Sequence, residues 1–269
     1  MKQWFVLYRK EMLEMWRNYK LVWVPLVFML LGVMQPISTY YLPQILDKVG
    51  GLPEGAVIEI PLPTSSVVLM EVLSNYGLLG MLILVLSAMG VVSTEKQSGV
   101  AGLVMVKPVS HFHYISAKWA GLTTITLLSL LIGYAVSWYY TDLLIGGIEF
   151  NQVWQSALIY SLWLIVCVTI TLLMSTLLRG NGGIAFISII IITCLSIITN
   201  LFTQYMSWSP ANLSNHASSV LLSGEVQSNF LLTVLTTVGI IAAMIVIASL
   251  TSKNDYWIQQ IVNEVISNI

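Results

Sequence analysis

The side chains able to do chemistry in this chain are few and far apart. His111 and His113 share one connecting segment and His216 lies in another. No cysteine or acidic cluster joins them at ligand spacing, so the sequence predicts no metal site. Cys167 and Cys194 both fall inside apolar runs and read as small packed hydrophobes. Neither a GxxxxGK[ST] phosphate loop nor a GxSxG nucleophile turn occurs. No catalytic and no cofactor-binding residue is therefore expected, and the chain does not read as an enzyme. A carboxylate within an apolar stretch would be another signal, because a charge at a membrane centre costs about 2.5–3.5 kcal/mol and persists there for function. Glu71 comes nearest, at the start of such a stretch. The remaining candidate is the segment from Glu95 to Gly121. Its mostly apolar part, Gly99 to Val106, is set between charged groups and ends at Pro108. That pattern predicts a short helix with one face to cover, which lipid headgroups or a protein groove would suit.

The elements that carry these residues are membrane spans. With 57% apolar and 9% charged residues, the chain cannot coat a water-soluble globule of 269 residues. A hydrocarbon core of roughly 30 Å takes about 20 apolar residues per helix. Six stretches reach that length, at about 21–41, 72–93, 119–140, 153–178, 184–206 and 230–250. Aromatic residues bracket several of them, as interfacial belts do. Since lipid satisfies no backbone polar group, the expected fold is an all-α membrane protein, one transmembrane domain over residues 1–269. Ten of the eleven Lys and Arg residues then fall on one side, with Lys48 alone opposite. Short Lys- and Arg-rich segments stay cytoplasmic. Both termini are thus expected inside, in a multi-pass protein of the plasma membrane. The net charge of −1 gives no nucleic-acid footprint.

Three further segments have a pattern of their own. Phe5, Tyr8, Met12, Met15 and Tyr19 recur at helical spacing, with Gln3, Lys10, Glu14 and Arg17 on another face, which predicts an N-terminal amphipathic helix in the interface. The proline-bearing stretch from Leu42 to Glu71 reads as an irregular cap on the outer side. Val220, Leu221 and Leu222 fit a short outer helix ended by Gly224. A second amphipathic helix is predicted over Trp257 to Ile266.

The loop after the second span resembles that of the type-2 permeases of ATP-binding-cassette (ABC) exporters. The matching residues are Glu95, Gly99, Leu103, Pro108, Val109, Ser110 and Lys118, with Lys10, Glu11 and Arg17 ahead of the first span similar to that family's opening. Val100 and His111 depart from its usual Thr and Arg. The resemblance implies a transmembrane exporter subunit whose Glu95–Val106 segment is a cytoplasmic coupling helix, held by a separate nucleotide-binding ATPase subunit. It further implies that Lys10, Glu11, Arg17, Glu95, Gly99, Leu103 and Pro108 contact that subunit. ATP and Mg would sit on the partner, and this chain would bind no cofactor. A second permease copy or a related permease would complete the path, in contact with membrane lipid and with no nucleic acid. The cargo implied is amphipathic, peptide-like or lipid-like, with its binding residues left open. Two other readings remain open: a secondary carrier driven by an ion gradient, and a non-transporting sensor or immunity protein.

Overall fold

The computed structural model describes residues 2–49, 63–99 and 110–267, with side chains over 3–45, 63–99 and 110–253. Six helices are long and apolar enough to cross a membrane, and no strand occurs among the described residues. The protein is an all-α membrane protein. Helix α1 (Lys2–Arg17) precedes the first span, α2 (Lys20–Val49). The second span is built from α3 (Ser65–Asn75), a π-helical turn (Tyr76–Gly80), α4 (Met81–Ala88) and α5 (Ser93–Gln97). The third, fourth and fifth are α6 (His111–Leu144), α7 (Phe150–Leu177) and α8 (Asn181–Leu201). Helix α9 (Leu213–Ser223) follows a short 3-10 turn, and α10 (Phe230–Ser267) is the sixth span. The side of the bundle carrying the N-terminus is called the near side below, and the opposite one the far side.

The fourth span is the axis of the bundle. Its most apolar window is 78% buried, against 17% for the sixth span and 28% for the first and fifth. Helix α2 packs along α6, while α9 and α10 both lie against α7. Several hydroxyls inside the spans are silenced locally: Thr126, Ser129, Thr141, Thr169 and Thr171 each donate to the carbonyl four residues back. This leaves no hydroxyl proton facing lipid or core unpaired at those positions.

Two glycines set the closest approach between helices. A Cβ at Gly133 of α6 would lie 2.8 Å from the backbone carbonyl of Phe28 and 2.7 Å from the Tyr76 hydroxyl. At Gly32 of α2 it would lie 2.6 Å from the Gly133 carbonyl. Small residues allow such contact in membranes, where packing rather than water exclusion drives association. Tyr76, the first residue of the π turn, uses that space: its hydroxyl donates to the Phe28 carbonyl at 2.9 Å and its ring meets that of Phe28.

The first span continues as helix through Pro43 to Val49, and helix resumes at Ser65, so much of the stretch expected to be irregular is helical. The second span is interrupted twice, at the π turn and again over residues 89–92. Helix α8 ends at Leu201 rather than near Met206. Helix α9 includes the expected turn, with Val220 and Leu221 buried, Leu222 exposed and Gly224 ending it at φ 75°. The segment expected to form a second tail helix continues the sixth span in one helix to Ser267. Of the expected coupling segment Glu95–Val106, residues 95–99 are described, while Val100 to Val106 with Leu103, and Pro108 beyond them, lie outside the described residues.

Candidate functional site

Helix α1 lies against the near end of α6, turned there by Tyr19, which adopts the left-handed conformation (φ 56°) between α1 and α2. Its inward face mixes apolar, aromatic and charged residues. Phe5 and Tyr19 are exposed, whereas Tyr8 and Met15 turn inward together with Trp4 and Glu11. Trp4 Nε1 donates to Ser116 Oγ at 3.1 Å, Tyr8 shares a 3.0 Å hydrogen bond with Thr124, and Met15 covers Gly121. Glu11 lies on this face because its carboxylate finds its partner inside.

That partner is Lys118, one of the least exposed residues of the chain at 1%. Its ammonium donates to Glu11 Oε1 at 3.0 Å and lies 3.0 Å from Glu95 Oε1. Glu95, buried on α5, also accepts from the Tyr114 hydroxyl at 2.5 Å, and Lys118 stands 5.0 Å from the Tyr114 ring centre. Lys10 closes the cluster from the surface. It is 3.1 Å from Glu11 and 3.2 Å from Glu14 and also pairs with Glu95. Partial burial alone would lower the Lys10 pKa, but Glu11 and Glu95 outweigh it and hold the ammonium well above its ordinary value. Glu11, Glu14 and Glu95 approach closely enough to hold a cation, yet Lys10 contacts all three and Lys118 two. The two ammonium groups already occupy the space between the three carboxylates and offset two of their three charges. This cluster joins α1, the base of the loop after the second span, and the start of the third span.

The opposite flank of α5 is fastened to the fourth and fifth spans. Where the second span breaks, the freed N–H groups of Val92 and Ser93 both donate to Ser175 Oγ at 3.1 Å. Ser93 Oγ donates to Asn181 Oδ1 at 2.7 Å, Lys96 Nζ to the Thr176 carbonyl at 2.7 Å, and Gln97 Nε2 to the Arg179 carbonyl. A five-residue helix thus carries polar ties to α1 and to the third, fourth and fifth spans.

The far half of the bundle holds a cavity of about 630 Å³ between the second, fourth and fifth spans and α9. It reaches from Glu71 down to Met81, near the middle of the second span, and the π turn contributes Gly77 and Leu78 to its wall. Such turns recur at functional sites. Tyr160 and Trp163 of α7 form its back, with the Tyr160 hydroxyl donating to the Leu73 carbonyl at 2.8 Å. Glu71 is half-buried and accepts from Gln35 Nε2 at 2.5 Å, while Gln35 Oε1 accepts from Asn75 Nδ2 at 3.0 Å.

Of the residues expected at a partner contact, the structure brings Lys10, Glu11 and Glu95 into one cluster, and leaves Arg17 and Gly99 exposed. Glu11 and Glu95 are buried against lysines of this chain. Gly99 adopts φ 73° just past α5, where a side chain would be strained. Tyr114, Ser175 and Asn181 carry the junction without having been singled out. Tyr114 and Lys118, four residues apart on one helix, offered a usable signal. Ser175 and Asn181 offered none, since hydroxyls and amides are common at helix ends. His216 is buried between α9 and α10, within 3.4 Å of Asn212 and 3.3 Å of Thr233, with neither of the other histidines beside it.

No family model matches the chain. It is 37% identical over 225 residues to the uncharacterized transmembrane protein YxlG of Bacillus subtilis (strain 168), across 84% of this chain and 87% of that protein. At that identity and coverage, the chain belongs to the YxlG family of transmembrane proteins.

Proposed function

We propose that this protein is the transmembrane permease subunit of an ABC exporter, with the near side of the bundle cytoplasmic. A separate nucleotide-binding subunit, carrying ATP and Mg, would hold the segment after α5 as a coupling helix. A second copy or related permease would complete the path through the plasma membrane. The observation that supports this reading best is the placement of α5. It stands at the root of the coupling segment and is tied by Glu95 to α1 and the third span, by Lys96 and Gln97 to the fourth span and the turn after it, and by Ser93 to the start of the fifth span. A displacement delivered there would reach four spans through polar contacts rather than dissipate in a loop. The interruptions of the second span, at 76–80 and 89–92, are the places where it can bend in response. Arg17 and Lys10 would face the ATPase subunit, while Glu11 and Glu95 would act by holding Lys10 and Lys118.

The lysine-paired cluster at the near end of the third span suits a coupling joint better than an ion-binding site, which distinguishes this reading from a secondary carrier. Inverted membrane vesicles containing the chain and its ATPase subunit test the two. ATP should drive uptake from a panel of amphipathic peptides and lipid analogues, and uptake should persist when proton and sodium ionophores collapse the gradients. Uptake that needs a gradient and ignores ATP would favour the carrier.

A further inference from the structure

We propose that the far-half cavity binds a monocationic amphiphile, with the cationic head at Glu71 and the apolar body against Trp163, Leu78 and Met81. This deepens the exporter reading by naming its cargo class.

The charge pattern carries the argument. Glu71 is the one charged residue lining the cavity, and no Lys, Arg or His pairs with it among the described residues. Its carboxylate is held by neutral groups instead. Gln35 donates to Oε2, and Asn75 fixes Gln35 in turn, while Oε1 accepts no hydrogen bond from the described residues. The relay orients the carboxylate without neutralising it. A half-buried charge at the edge of a membrane span gains most from a partner of opposite sign, because the surroundings screen the attraction weakly. The contrast within this chain is direct: both carboxylates buried at the near end have lysine partners, and Glu71 has none among the described residues.

Shape and lining select the rest of the ligand. The volume of about 630 Å³ falls in the range for drug-sized molecules rather than for a bare ion. Below Glu71 the wall carries Leu78, Met81, Trp163 and Ile192, interspersed with the small polar residues Ser74, Thr193 and Ser196, a mixed surface that suits an amphiphile's hydrocarbon body. The opening passes exposed Leu78 and Ile197, both apolar, so an amphiphile can enter sideways from the lipid.

The test uses the full chain alone in lipid nanodiscs, without an ATPase. The probes are dansylcadaverine, whose free amine is cationic, and dansylaminohexanoate, which has a similar body and a carboxylate. Dansylcadaverine fluorescence should rise saturably above that of empty nanodiscs, and dansylaminohexanoate should not displace it. Glu71→Gln should weaken binding by about tenfold or more, as loss of a charged partner does. Ser196→Trp, which fills the cavity from the fifth span, should abolish binding with Glu71 intact. Each variant is first matched to the parent in thermal unfolding. Equal binding by the parent and Glu71→Gln, equal competition by the anionic probe, or no saturable signal would overturn the proposal. These outcomes do not depend on ATP, so a failure of ABC coupling leaves them unchanged, and their failure leaves coupling intact.

Discussion

Replacing Lys118 with Met should destabilise the protein by about 3–5 kcal/mol, the cost of removing one partner from a buried ion pair. The side chains are similar in length, so little packing is lost. What remains is Glu11 and Glu95, both buried, sharing only the half-exposed Lys10. Their mutual repulsion in a poorly screened site adds to the loss. The expected signature is a lowered midpoint of thermal unfolding in detergent, together with faster proteolysis of α1. Adding Glu11→Gln and Glu95→Gln to Lys118→Met removes the uncompensated charges and should recover much of the loss. A double-mutant cycle between positions 11 and 118 should give a coupling energy of about 1–3 kcal/mol. If Lys118→Met unfolds at the midpoint of the parent, the cluster contributes no stability and α1 is held by its aromatic and methionine contacts alone.

The second large effect is expected at Gly133. In Gly133→Leu the new Cβ alone meets the Phe28 backbone at 2.8 Å, and no side-chain rotation can relieve a clash with main chain. The first and third spans must separate, which breaks the Tyr76 hydrogen bond to Phe28 and exposes the π turn to a gap. A loss of about 1–3 kcal/mol or more follows from overpacking of this kind. Gly239→Leu is the control, since a Cβ there meets nothing within 4 Å on the sixth span. It should unfold at the midpoint of the parent. Equal unfolding of the two variants would mean that the first and third spans do not approach as described.

The spans were legible in the sequence because length and apolarity alone define them, and the sixth begins at Phe230 as expected. The interruption of the second span was not, because a π turn leaves no period in the sequence and Gly77 and Gly80 read equally well as packing residues. Gly32 and Gly133 show the same limit from the other side. Their role depends on which helices are neighbours, and apolar spans carry little information about that. At the near end, Lys118 and Glu95 were visible as motif residues, but their burial was not. It requires Glu11 to arrive from a separate helix 107 positions earlier than Lys118. On α1 a periodicity count does not place Glu11, whereas the lysine across from it draws it inward.

In the proposed exporter, the segment following α5 is the handle by which an ATPase subunit moves this bundle. The direct measurement is the amount of ATPase subunit that co-purifies with the tagged full-length chain from its native membrane. Leu103→Asp places a charge on the apolar anchor, where it must be desolvated or the partner's groove left open. The parent and Lys253→Ala should retain a full complement of ATPase, while Leu103→Asp, at equal expression and equal thermal stability, should lose most of it. Full retention of the ATPase by Leu103→Asp, or no ATPase with the parent chain, would contradict the account.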